Sequence, residues 1–242
     1  MPSSADVIWA VVPVKDFCTA KSRLKNVLSA GDRARLARAM SADVIAALKQ
    51  SDTTEHVCML SDSADTSEFA AALGSTWFDE QSVATLPGLN AGIAGMARLA
   101  ARDGASALLV IHADMPLLTA ADIQHVVSTW QSLEGDQRVV MVRSRDGGTN
   151  ILLAERPHAF AYRYGPDSHG RHAQECARRR CTTATVELST GALDIDTPDD
   201  LYSLARAVRR DGRCGVHTAA LLDELMPAER FADVSTCQEI AP

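Results

Sequence analysis

Five short segments of this chain hold residue types that could handle small anions and metal ions. In the first, Lys15, Lys21, Arg23 and Lys25 put four cations within eleven residues, just after the apolar run 7–14. If that run is a strand of a parallel sheet, the cations stand at its carboxyl end, where open α/β sheets bind ligands. No glycine occurs between Met1 and Lys25, so this is neither a Walker A loop nor a GxGxxG fingerprint, which also counts against a nicotinamide dehydrogenase. Phosphate contact would come from the side chains and the next helix start. The bland alternative is a solvated basic loop.

In the second segment, His112-Ala113-Asp114-Met115-Pro116 follows the apolar run 107–111, so Asp114 falls at another strand end, as a catalytic carboxylate or as a turn and cap residue. The third holds Asp194 and Asp196, two residues apart. In an extended chain they share a side and repel unless a cation lies between them. Mg²⁺ suits such an oxygen-only set and bridges carboxylates to substrate phosphates. Alternatively Asp196-Thr197-Pro198 opens a helix, which can hold for one of the two aspartates at the same time. In the fourth, the glycines of Arg145-Asp146-Gly147-Gly148-Thr149-Asn150 serve either close approach to a ligand or a plain hairpin turn. The fifth, from Tyr164 through Gly165, Ser168 and Arg171 to His172, combines glycines, a hydroxyl, a guanidinium and a helix start into an anion cradle. His169 and His172 also have the spacing of a metal pair, though with Cys176 four residues on the segment fits one helix turn beside a loop as well. One shared site accounts for all five segments.

A frame must bring them together. The β-branched run 7–14 reads as a strand buried on both faces, and so does 107–111. Shorter strands are expected at 56–60, 76–78, 139–142, 149–153 and 183–188. Helices are expected from Gly31-Asp32 to Leu48, through 69–73, over 89–101, from Thr119 to about Trp130, over 198–208 and over 218–225. Strands alternating with helices predict a single α/β domain with a mostly parallel sheet covered on both faces. Residues 209–242 read as a helical appendage to a domain over 1–208.

The composition narrows the partners. With 24 Lys+Arg against 31 Asp+Glu the net charge is −7, which excludes a nucleic-acid polymer; a small anion would need positive charge concentrated locally. At 46% hydrophobic and 23% charged residues, the chain can bury a sizeable core. Cysteines at 18, 58, 176, 181, 214 and 237 form no CxxC pair, and no signal peptide or membrane anchor is visible, so a reduced cytoplasm is expected.

Several of these pieces recur in one ordered series: Val12-Pro13-Val14-Lys15, Ala20-Lys21-Ser22-Arg23-Leu24, Met40 with Asp43-Val44, Gly88-Leu89-Asn90, Ala113-Asp114-Met115-Pro116, Asp146-Gly147-Gly148-Thr149-Asn150, Gly165 with Ser168 and His172, and Leu193-Asp194-Ile195-Asp196-Thr197-Pro198-Asp199. Over residues 7–208 this series resembles the guanylyltransferases of deazaflavin coenzyme F-420 biosynthesis, which act on 2-phospho-L-lactate, phosphoenolpyruvate or 3-phospho-D-glycerate. The resemblance implies a Rossmann-like nucleotidyltransferase fold of the glycosyltransferase-A type and Mg²⁺-dependent transfer of GMP from GTP, releasing pyrophosphate. It further implies that Asp114, Asp194 and Asp196 ligate the metal and that Lys15, Lys21 and Arg23 meet the triphosphate. Thr149, Gly165 and Ser168 would hold the acceptor acid, with Gly88 and Asn90 near the guanine or ribose. A downstream deazaflavin transferase is the expected partner, and a homodimer is compatible with the resemblance. Two other classes fit part of the pattern. A molybdopterin guanylyltransferase or sugar cytidylyltransferase would share the carboxylates but usually opens on a Gly-rich loop, and a non-catalytic nucleotide-binding regulator would not need three aspartates.

Overall fold

The computed structural model describes residues 6–191 and 193–226. Its strands are β1 (Ile8–Val14), β2 (His56–Ser61), β3 (Thr76–Asp79), β4 (Ala107–Ile111), β5 (Arg138–Arg143), β6 (Thr149–Glu155) and β7 (Thr182–Thr185). They form one sheet of order β3-β2-β1-β4-β6-β5-β7. The sheet is mostly parallel; only β6 runs against its neighbours, β4 and β5. The reason is local. Residues 144–148 between β5 and β6 are too few for a parallel crossover, so the glycine segment closes an antiparallel hairpin. Gly147 makes that turn with φ +89°.

The helices are α1 (Ala30–Ser51), α2 (Ser67–Ala72), α3 (Glu80–Val83), α4 (Leu89–Arg102), α5 (Ala120–Ser132), α6 (Ser168–Arg179), α7 (Pro198–Asp211) and α8 (Val216–Leu225). Alternation along β1 sorts them between the faces of the sheet. Ile8, Ala10 and Val12 pack with Val44, Ile45 and Leu48 of α1 and with Ile123, Val126 and Trp130 of α5. Trp9 and Val11 point the other way, into Ile93, Met96, Ala97 and Ala100 of α4 and Cys176 of α6. The small residues of α4 permit close approach: a Cβ on Gly95 would lie 2.1 Å from the carbonyl oxygen of Val83. Helix α1 starts slightly before the expected Gly31-Asp32, because Ser29 caps it by accepting from the Asp32 N–H.

A third apolar cluster matters most for the site. It gathers Leu24 and Leu28 from the loop after β1, Leu36 and Met40 from α1, Leu193 and Ile195, Leu201 and Leu204 from α7, and Leu221 and Leu222 of α8 with Met226 just after it. Helix α7 runs through residues 208 and 209, and α8 beyond it packs on α1. No helix among the described residues is long and apolar enough to cross a membrane.

Candidate active site

Strand order sets the location. From β1 the chain goes to β2 on one side, while β4 lies on the other, so the loops leaving β1 and β4 flank a topological switch point. The first carries Lys15, Lys21 and Arg23, and the second carries Asp114. Thr149 opens β6 at the same edge, since the antiparallel register pairs Ile111 with Ile151.

Lys21 is the centre of the charged half. In the left-handed conformation at φ +53°, it donates from Nζ to Asp114 Oδ2 at 2.7 Å and to Asp196 Oδ1 at 2.9 Å. Arg23 reaches Asp196 Oδ2 at 3.7 Å from a largely exposed position. The two carboxylates are juxtaposed because the Ile195 N–H donates to the carbonyl of Asp114, while Leu193 and Ile195 are buried and turn Asp194 and Asp196 outward. The helix cap is Thr197 rather than Asp196: Thr197 and Asp200 form a reciprocal capping box with Pro198 in the first turn, which frees the Asp196 side chain.

Burial alone would depress the Lys21 ammonium, but Asp114 and Asp196 outweigh it and hold its pKa above the ordinary value. Burial likewise opposes ionisation of Asp114, and Lys21 and His112 overcome it, leaving that carboxyl below its usual range. Asp194 has no such help: burial and the charges of Asp114, Asp146 and Asp196 push it up to about 6. Carboxylates here therefore exceed the cations serving them, and Asp114 Oδ1 is buried without a hydrogen-bond partner. Hard oxygen donors short of positive charge fit Mg²⁺. Among the described residues no three His, Cys, Asp or Glu side chains converge on one point. That does not oppose the fit, because Mg²⁺ commonly takes one or two carboxylates and completes its shell with phosphate oxygens and water.

The second half is neutral and hydroxyl-bearing. Thr149 and Ser168 are buried side by side, with Ser168 Oγ donating to Thr149 Oγ1 at 3.4 Å, and the Thr149 hydroxyl lies 3.0 Å from His172 Nδ1. The His169 N–H at the start of α6 donates to the Gly147 carbonyl, so the hairpin turn and the helix are joined. Gly165 adopts φ +114° between Tyr164 and Pro166. His172 cannot form a metal pair with His169, since both its ring nitrogens are already engaged. The Cys176 thiol is pushed up to about 12 by burial.

Gly88 and Asn90 sit at the start of α4. The Gly88 N–H donates to Glu80 Oε1 at 2.7 Å. Asn90 makes two bonds to the Tyr164 main chain, accepting its N–H at 2.7 Å and donating to its carbonyl at 3.1 Å. The residue expected beside the nucleotide thus also fastens the loop that carries Gly165. Lys15 is exposed at the end of β1, outside the Lys21 network. Two residues without an expected role tie these parts together. Asn150, buried on β6, donates to the Gly191 carbonyl and so fixes the approach to Asp194. His112 lies between Asp114 and Tyr164, its ring 5.3 Å from the tyrosine ring, and its imidazole is pushed down by burial. A concavity of about 600 Å³ opens at the amino end of β1 around Asp6, Ile8, Asp52 and Gln124, and shares no residue with this network.

Residues 8–207 match the family model described as guanylyl transferase CofC like. A phosphoenolpyruvate guanylyltransferase of Roseiflexus castenholzii is 36% identical over 199 residues, covering 82% of this chain and 88% of that one. A 3-phospho-D-glycerate guanylyltransferase of Phenylobacterium zucineum is 32% identical over 219 residues, covering 89% and 95%. Among solved structures, a Desulfovibrio desulfuricans G20 protein named for nucleotide-diphospho-sugar transfer shares the fold, with a TM-score of 0.72 at 20% identity and coverage of 90% and 95%.

Proposed function

The chain belongs to the CofC-like guanylyl transferase family, and from that premise we propose that it transfers GMP from GTP to a phosphorylated three-carbon acid, releasing pyrophosphate, as a step of deazaflavin coenzyme biosynthesis. The observation that carries this reading is the pairing of Asp114 and Asp196 through Lys21 at the switch point, beside a second cluster of neutral donors.

An oxygen of the acceptor's phosphate attacks the α-phosphorus of GTP. The new O–P bond forms as the bond to the bridging α,β-oxygen breaks, and pyrophosphate departs with that electron pair. The nucleophile is already anionic near neutral pH, so no general base is needed. The obstacle is repulsion between a triphosphate and an acid that carries both a phosphate and a carboxylate. Bound Mg²⁺, held by one or two of Asp114, Asp194 and Asp196, would neutralise phosphate charge and polarise the α-phosphorus. Lys21 and Arg23, and Lys15 at the rim, are the side chains able to exchange carboxylate or solvent contacts for phosphate oxygens. The Thr149 hydroxyl and the main-chain N–H groups of Gly165 and of Ser168, the latter at the start of α6, receive the acceptor as hydrogen-bond donors. Asn90 couples the nucleotide side to the acceptor loop, and Gly88 leaves open space at the start of α4 for the nucleoside.

The test pairs each of GTP, ATP, CTP and UTP with phosphoenolpyruvate, 3-phospho-D-glycerate and 2-phospho-L-lactate, with Mg²⁺ and a deazaflavin transferase present to draw off the product. Pyrophosphate release is expected with GTP and at least one acid. No turnover with any pair overturns the assignment.

A further inference from the structure

His172 is buried completely where the three parts of the hydroxyl-bearing half meet. Its ring packs edge-on against Tyr164, with centroids 4.9 Å apart, and lies 6.0 Å from the ring of Phe160. The main-chain N–H of Arg163 can only donate. Nε2, 2.9 Å from it, therefore accepts and carries no proton. The ring proton is then on Nδ1 and is donated to Thr149 Oγ1 at 3.0 Å. Ser168 Oγ donates to the same oxygen. With both neighbours donating to it, Thr149 has its own hydroxyl proton directed away from them.

We infer that His172 is a positioning residue for the acceptor: by fixing one tautomer it turns the Thr149 O–H into an outward donor and anchors the segment that carries Gly165. The inference rests on the reading of Thr149 and Ser168 as acceptor-binding groups. Asn90 supplies the matching anchor, gripping Tyr164 from the α4 side one residue after the Arg163 contact. A ring that both accepts from Arg163 and donates to Thr149 must stay neutral. Burial, with help from Arg171 and the neighbouring histidines, lowers its pKa to about 4, so it is neutral at physiological pH.

Two substitutions separate the two hydrogen bonds. In His172→Asn the side-chain amide nitrogen falls near the position of Nδ1 and keeps a donor for Thr149, whereas His172→Gln keeps an acceptor near Nε2 and loses that donor. His172→Gln is expected to raise the acceptor KM about 10-fold, with kcat and the KM for GTP changed less than about 3-fold, and His172→Asn to restore most of the loss. Thr149→Val should raise the acceptor KM on its own, and the Thr149→Val/His172→Gln double variant should be no worse than Thr149→Val. An unaffected His172→Gln, or effects that multiply in the double variant, overturns the role of His172. An unaffected Thr149→Val instead overturns the acceptor-site reading beneath it. Nitrogen-15 spectra of the wild-type imidazoles provide a readout independent of activity: the Nδ1–H neutral form supports the inference, and the Nε2–H form contradicts it.

Discussion

Lys21 is a cation held between two carboxylates, at the point proposed to meet the triphosphate. Replacing it with methionine leaves Asp114 buried beside Asp196 without compensation. Lys21→Met should lower the free energy of unfolding in Mg²⁺-free urea titrations by about 2 kcal/mol, the partial exposure of Asp196 keeping the loss below that of a fully buried pair. Millimolar Mg²⁺ should recover part of it; a loss indifferent to Mg²⁺ contradicts the placement of the metal. His172 predicts a pH effect of definite sign. Its folded pKa of about 4 lies below the unfolded value, so the unfolded chain takes up the proton first. The stability it contributes is complete above about pH 6.5 and is lost as pH falls toward 4. Between pH 7 and pH 4.5, His172→Asn should therefore lose about 2–3 kcal/mol less stability than the wild type, measured by urea unfolding at each pH. Equal losses would show that His172 titrates normally.

Helix α8 shows how an element far from the chemistry holds the site. Asp43, buried on α1, accepts the N–H groups of His217 at 3.0 Å and Thr218 at 2.8 Å, and the Gly215 N–H donates to the carbonyl of Pro116, two residues past Asp114. A Cβ on Gly215 would meet the Asp43 carboxyl carbon at 2.0 Å, so only glycine fits there. Asp43→Ala should cost about 2 kcal/mol and speed amide exchange at His217 and Thr218; unchanged exchange would dissociate α8 from that carboxylate. In the sequence, Asp43 stood out only as part of the family resemblance, because a cap supplied by a different helix leaves no local pattern. The sheet was legible for the opposite reason. Residues 7–14 and 107–111 are apolar along their whole length, as strands covered on both faces must be. Helix α6 has no apolar stripe to find: its buried side is Ser168, His172, Glu175 and Cys176, so the sequence offers a helix start beside an anion cradle but no apolar period to extend it. Lys21, Asp114 and Asp196 could be named as candidates from strand ends and spacing. Their union through one ammonium could not, because it spans 93 and 175 residues of sequence.

For the whole molecule, the net charge of −7 and the proposal of two anionic substrates are compatible because the acidic excess is not uniform. Asp114, Asp194 and Asp196 lie together at the sheet edge, where Lys21 and Arg23 already offset part of their charge and where Mg²⁺ would offset more. Strand order places that charged cluster, the hydroxyls of Thr149 and Ser168, and the start of α4 on a single edge of the sheet. The central claim is that this edge joins GMP to the acid through the Asp114 cluster. Its most direct measurement is pyrophosphate release from GTP and the preferred acid, titrated with Mg²⁺, for the wild type and for Asp114→Asn at matched thermal stability. The expected result is Mg²⁺-dependent release in the wild type, reduced at least about 100-fold in Asp114→Asn at every Mg²⁺ concentration. Near-normal release by a folded Asp114→Asn protein would contradict it.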